Sequence, residues 1–188
     1  MKFIKPLSIA LLVSSVLLAC KKEPVNTSET EQTTSINYGN GVVETFQRQP
    51  NGSTVVFSNW VLKTDTDWTG YGTSEISSPI NAPSLSDAVR DNGLVMVYFE
   101  LAGKISPLPY VRIEYGQVID FNFITQLITL NIRTTQGSLE DVADLKFRYV
   151  LIPSSAFSGP GSGGRMNTTL PVDYNDYNAV CDFYGIPK

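Results

Sequence analysis

From Val42 to Ile152 the chain is a series of short apolar–polar alternations, separated by residues that favour turns. Tyr110–Tyr115 sets Val111, Ile113 and Tyr115 against Arg112 and Glu114. Val118–Ile124 sets Ile119, Phe121 and Phe123 against Asp120 and Asn122. Gln126–Arg133 sets Ile128, Leu130 and Ile132 against Thr129, Asn131 and Arg133. Leu145–Ile152 opens in the same way, with Leu145, Phe147 and Tyr149 against Lys146 and Arg148, and Pro153 ends it. A period of two puts successive side chains on opposite faces of an extended chain. Such a segment buries one face and wets the other. Earlier runs at Val42–Gln47 and Thr54–Lys63, parted by Gln49-Pro50-Asn51-Gly52, extend the pattern. The spacing predicts an all-β fold, an antiparallel β-sandwich of about 7–8 strands over residues 38–153.

Two segments break the period. Leu94–Phe99 is apolar without alternation, which predicts a central strand covered on both faces. Ser84–Gly93 has the marks of a short helix, with Ser84 or Ser86 to cap it and Gly93 to end it. Thr64–Pro79 reads as a polar loop, and Ser154–Gly164 as the core of a Gly/Ser/Pro linker over 154–169. In the closing segment, 170–188, Tyr174, Tyr177, Val180, Cys181 and Tyr184 recur at helical spacing. Asp173 is the expected N-cap of a three-turn helix, and Gly185 stands where a left-handed C-terminal residue belongs. A helix so short needs a dock for its stripe. That dock is either the sandwich itself, which the long linker allows, or a partner protein.

The N-terminus carries Lys2 and Lys5, then an apolar run from Leu7 to Ala19 that is too short to span ~30 Å of hydrocarbon. It reads as a signal peptide, residues 1–19. Leu17-Leu18-Ala19-Cys20 resembles a bacterial lipobox, and that resemblance implies cleavage before Cys20 and acylation of its thiol and new amine. Two or more acyl chains hold a soluble domain on a bilayer where one is marginal. Lys21 follows in place of the Asp that retains some lipoproteins in the inner membrane, so an outer-membrane lipoprotein of the cell envelope is expected. Its orientation, periplasmic or surface-facing, stays open. Residues 20–37 are polar and read as a flexible tether.

Composition excludes more than it includes. The chain contains no histidine, so no Ser-His-Asp triad, Cys-His pair or histidine zinc site can form. The net charge of −4 becomes about −6 once Lys2 and Lys5 leave with the signal, which argues against nucleic acid as a partner. With Cys20 acylated, Cys181 is a lone thiol. No cofactor or metal is expected. Asp65-Thr66-Asp67-Trp68-Thr69-Gly70 partly resembles a calcium loop but lacks its later ligands and closing Glu.

Trp68 and Tyr71, with Asp65 and Asp67 beside them, are the candidate ligand-binding residues: aromatic faces stack on sugar rings and carboxylates accept from their hydroxyls. Trp60 lies in a strand pattern and is expected in the core. A glycan hydrolase needs two facing carboxylates, for which Asp87, Asp91, Glu100, Glu114 and Asp120 are available, with Glu100 the one to check for burial.

Val56-Phe57-Ser58-Asn59-Trp60, Asp91-Asn92-Gly93-Leu94-Val95-Met96-Val97-Tyr98, Leu108-Pro109-Tyr110 and Phe147-Arg148-Tyr149-Val150-Leu151-Ile152-Pro153 resemble a β-rich domain of uncharacterised lipoproteins from Bacteroidota-type bacteria. That domain is similar to the one closing some of their collagen-like proteins. Tyr177–Pro187 is similar to the ends of other such lipoproteins. The resemblance implies a fold but no site residues. The expectation is a lipid-anchored, non-catalytic binding or scaffolding module. Its partners would be the membrane, through the lipid, and a glycan or an envelope protein.

Overall fold

The computed structural model describes residues 33–139, 144–157 and 171–188, all of them in the compact unit Glu31–Lys188. The expected signal segment, Cys20, the tether before residue 33 and the linker after residue 157 lie outside the described residues.

Among the described residues, eleven strands form two antiparallel sheets. The larger sheet runs β1 (Thr33–Asn37), β2 (Val43–Arg48), β3 (Thr54–Ser58), β11 (Leu145–Ile152), β6 (Leu94–Leu101), β7 (Lys104–Pro107). β4 (Val61–Lys63) pairs with the opening residues of β11, while β3 pairs with its later ones. The smaller sheet runs β5 (Glu75–Asn81), β10 (Leu127–Thr134), β9 (Gln117–Ile124), β8 (Tyr110–Arg112). Register follows the hydrophobic pattern, because a slip of one residue would turn every inward side chain to water. Tyr149 opposes Val97 and Phe147 opposes Phe99, while Leu130 opposes Phe121 on one side and Ser78 on the other.

The inner faces meet in one core. Val97, Phe99, Phe147, Tyr149 and Leu151 of the larger sheet pack with Ile76, Ile119, Ile128, Leu130 and Ile132 of the smaller. Each fully buried aliphatic or aromatic side chain contributes roughly 1.5–3 kcal/mol. β6 lies between β11 and β7. Its odd residues Val95, Val97 and Phe99 enter this core, and its even residues Leu94, Met96 and Tyr98 enter a second cluster on the outer face. The unbroken apolar run over 94–99 therefore reflects cover on both sides.

Among the strands, the structure differs from the sequence expectation in four places. Strands among the described residues number eleven, where about seven or eight are expected. Residues 33–37 form β1 instead of tether: Thr33 donates to Gln47 at 2.8 Å and Ser35 bonds Thr45 at 2.9 Å, so polar side chains and a neighbouring strand supply what hydrophobicity does not. The expected loop ends in strand β5. Its inward row Ile76, Ser78, Ile80 is interrupted by a serine, and Pro79 is tolerated because β5 is an edge strand. In Tyr110–Tyr115 the expected faces are reversed. Tyr110 packs on the core beside Phe99, whereas Val111, Ile113 and Tyr115 are exposed, Ile113 at 84 %. The chain leaves the strand after Arg112 for a 3-10 turn, which ends the alternation.

Three short helices complete the described chain: α1 (Asp87–Asn92), α2 (Ser154–Phe157) and α3 (Tyr177–Tyr184). Ser86 caps α1 by accepting from the Val89 N–H, and Gly93 closes it. α3 has two turns, not three, and its N-cap is Asp176, which accepts from the Asn178 and Ala179 N–H groups at 2.9 and 3.1 Å. Asp173 instead closes a local turn by accepting from the Asn175 N–H. Gly185 ends the helix at φ 68°, a left-handed conformation that costs a glycine little.

Candidate functional site

The outer faces of the two sheets are treated differently. On the larger sheet, Val55, Phe57, Tyr98, Val150 and Ile152 form an apolar surface covered by the C-terminal segment. Tyr174, Tyr177, Val180, Cys181, Tyr184 and Ile186 are all buried against it, so the stripe docks within the chain. Polar groups are paired as the segment closes. Tyr98 donates to the Tyr174 carbonyl at 2.8 Å, and the Tyr174 and Tyr184 hydroxyls bond at 2.7 Å.

Arg148, expected to face water, is 5 % exposed. It donates to the Ser58 carbonyl at 2.8 Å, the Tyr177 hydroxyl at 2.5 Å and the Pro187 carbonyl at 2.7 Å. Its guanidinium lies 4.8 Å from the centre of the Phe57 ring and 5.9 Å from that of Trp60. Burial raises the Tyr174, Tyr98 and Tyr184 hydroxyls and the Cys181 thiol above their ordinary pKa values, and pushes Tyr177 up to about 12. All stay neutral at neutral pH, and this face is spent on structure.

The smaller sheet carries no such cover among the described residues, and its outer face is polar over the middle of β9 and β10, with Val111 and Ile124 exposed beyond. Side chains that alternate away from the core bring Asp120 and Asn122 of β9 beside Asn131 and Arg133 of β10, with Glu75 of β5 directly across from Arg133. They line an open cleft of about 380 Å³ together with Pro109 and Phe121. Asn131, which is buried, donates to one Asp120 oxygen at 3.0 Å, and the Arg133 guanidinium pairs with the other. Cross-strand pairing thus pre-orders three planar polar groups, Asp120, Asn131 and Arg133, at little further entropic cost on binding. A general acid must present a proton from a carboxylate oxygen. Both oxygens of Asp120 already accept, from Asn131 and Arg133, so this carboxylate serves as an acceptor in the cleft.

The residues expected to bind a ligand lie elsewhere. Trp68 is 4 % exposed and packs edge-on against Phe147, 6.1 Å between ring centres, so it is a core plug. Tyr71 is half-buried against the same core. Neither forms an exposed platform, because the loop turns Trp68 inward where Thr69 bridges to Ser77. Trp60, expected in the core, is half-buried on the outer face, 5.7 Å from Tyr177.

Asp65 and Asp67 sit in a 3-10 turn. Asp67 accepts from the Thr64 N–H at 2.8 Å and the Thr64 hydroxyl at 2.9 Å, bonds that hold its pKa below the ordinary carboxylate value. No group of acidic or sulfur side chains among the described residues could hold a metal ion. Asp87 and Asp91 pair with Arg90, and half-buried Glu100 lies 3.5 Å from Lys146. Of the five carboxylates considered for hydrolysis, only Asp120 reaches the cleft.

One buried carboxylate escaped sequence reasoning. Glu44 is fully buried and accepts from the Ser84 N–H at 3.1 Å, the Ser84 hydroxyl at 2.5 Å and the Tyr149 hydroxyl at 2.7 Å. The signal for it is its position between Val42 and Phe46 on the inward alternation. The cleft was half legible: the outward Asp120/Asn122 and Asn131/Arg133 pairs stand in the sequence, but not the register that joins them to Glu75.

Comparison of the chain with protein-family models, curated proteins and solved structures found no match.

Proposed function

We propose that this chain is a lipid-anchored, non-catalytic binding module of the bacterial cell envelope, and that its ligand surface is the cleft on the four-stranded sheet. The observation that carries the reading is the contrast between the two outer faces. The apolar face is sealed by the chain's own tail, whereas the polar one is open, concave and pre-ordered. Sugar hydroxyls match the cleft chemically. Asn and Arg donate, Asp and Glu accept, and Pro109 offers apolar contact for ring C–H groups. The carbohydrate reading therefore moves from the Trp68 loop to this cleft. The Cys20 lipid would place the module at the outer membrane.

The test is binding of the purified domain to a panel of envelope and host glycans, repeated with Asn122→Ala and Glu75→Ala. Retention of a glycan that each variant weakens about tenfold, with unchanged melting, supports the reading. No retention, or retention that both variants leave intact, rejects the cleft. Feeding labelled palmitate to cells tests the anchor, which requires label on the wild type and none on Cys20→Ser.

A further inference from the structure

The larger sheet ends in β1, an edge strand that no element among the described residues covers. An exposed strand edge is a row of unpaired N–H and C=O groups, and natural sheets blunt it with Lys, Pro, charge, brevity or cover. Three of the edges here carry such devices. β7 has Lys104 and Pro107, and β8 is three residues long with Arg112 at its end. β5 has Glu75 and Pro79, and its outward Ser77 groups are taken by Thr69. β1, Thr33-Thr34-Ser35-Ile36-Asn37, has no charge, proline or glycine, and all five residues are exposed.

Hydrogen-bond parity identifies the free groups. The Asn59 N–H donates to the Val43 carbonyl and the Gln49 N–H to the Ser53 carbonyl, so the odd residues of β2 face β3 and the even ones face β1. With Thr34 opposite Phe46 and Ile36 opposite Glu44, residues 34 and 36 bond β2. The N–H and C=O groups of Thr33, Ser35 and Asn37 therefore point out of the sheet.

We propose that this edge pairs with the same edge of a second copy of the chain, antiparallel about a two-fold axis at Ser35. The row is its own complement. Thr33 meets Asn37 of the other copy and Ser35 meets Ser35, forming about six backbone hydrogen bonds. The strand is neutral, so no like charges meet across the axis. Ile36, 42 % exposed, comes beside Thr34 of the other copy, over the groove of about 390 Å³ that Thr34, Ile36, Phe46, Arg48 and Thr54 line. Side-chain bonds from Thr33 and Ser35 to β2 already hold the strand extended, which lowers the entropic cost of pairing. The ladder is short, so association is weak, with Kd on the order of micromolar to sub-millimolar.

The experiment is sedimentation of the full chain carrying Cys20→Ser, across a concentration series reaching about 1 mM. The mass should rise toward twice 20.7 kDa. Ser35→Pro removes an outward N–H and no backbone bond to β2, giving up only the exposed Ser35–Thr45 hydroxyl contact, and Ile36→Lys places two cations near the axis. Both should stay monomeric at wild-type melting temperature. Should Ser35→Pro lower the melting temperature, Ile36→Lys and a cross-link decide. Ser35→Cys should cross-link to itself under mild oxidation, since hydrogen-bonded antiparallel pairs hold their Cα atoms ~5.5 Å apart, within disulfide reach. A monomer at every concentration overturns the proposal. So does a dimer that Ile36→Lys leaves intact and Ser35→Cys fails to cross-link, which would place the interface on another surface.

Discussion

The guanidinium of Arg148 donates to the Tyr177 hydroxyl at 2.5 Å, and both residues are buried between β11 and the tail helix. No carboxylate among the described residues forms an ion pair with this cation. It is held by two carbonyls, one hydroxyl and the faces of Phe57 and Trp60. Removing one acceptor leaves a donor of a buried charge unmatched. Tyr177→Phe should therefore cost about 1–3 kcal/mol in urea unfolding. Arg148→Met, which keeps volume and removes the charge, should cost less than Arg148→Ala. Equal losses for the two Arg148 variants would mean that packing alone matters there.

Deleting residues 171–188 uncovers Val55, Phe57, Tyr98, Val150 and Ile152 together. The truncated chain should bind a hydrophobic dye and aggregate, because monomers rarely carry such an apolar patch. In the intact chain, Cys181 is 1 % exposed with its thiol pKa raised by burial, so a thiol reagent should label it slowly in buffer and fast in denaturant. Prompt labelling of the folded chain would show that the tail opens freely.

Stability should fall at alkaline pH. Cys181, Tyr98, Tyr149, Tyr174, Tyr177 and Tyr184 all have folded pKa values raised, with burial the leading cause. The folded state keeps protons that the unfolded state releases, so unfolding free energy falls as pH rises. The loss begins near the unfolded thiol value, about 8.5, and steepens above the unfolded tyrosine value, about 10. Lys63, whose pKa burial lowers, acts in the opposite sense, alone against six. Urea midpoints should be level from pH 7 to about 8.5 and drop by pH 11. A midpoint that holds at pH 11 contradicts this.

Trp68→Ala should destabilise by about 3–5 kcal/mol, since a buried indole leaves a large cavity. Trp68→Phe should cost less, because the Trp68 Nε1 has no hydrogen-bond partner among the described residues and its removal relieves a desolvated donor. A negligible loss for Trp68→Ala would return the residue to the surface and restore the sugar-platform reading.

Glu44→Gln turns one acceptor of the Ser84 and Tyr149 bonds into a donor, and should cost about 1–3 kcal/mol. Ser84→Ala should cost less, because the backbone N–H of Ser84 and the Tyr149 hydroxyl still reach the carboxylate. A Glu44→Gln variant as stable as wild type would show that the site re-pairs.

Alternation by itself determined the sandwich. Ile128, Leu130 and Ile132 must share one face of an extended chain, as must Leu145, Phe147 and Tyr149, and no other element buries them with that period. It also determined that Leu94–Phe99 is covered twice, and that the stripe from Tyr174 to Tyr184 needs a dock. Polar strands were not legible: Thr33–Asn37 and Glu75–Asn81 take their order from neighbours distant in sequence, and no local pattern encodes a hydrogen-bond partner. Nor could local sequence place single side chains. Trp68 and Trp60 exchanged their expected environments, since the turn of a loop, not its composition, decides which way an aromatic points. Arg148 looks like an ordinary outward charge until the tail closes over it, and Glu44, inward by its alternation with Val42 and Phe46, finds its partners Ser84 and Tyr149 only in the fold. The candidate cleft depends on register, which brings Glu75, Arg133, Asn131 and Asp120 together from three strands, and register is fixed by the packing of the whole sheet.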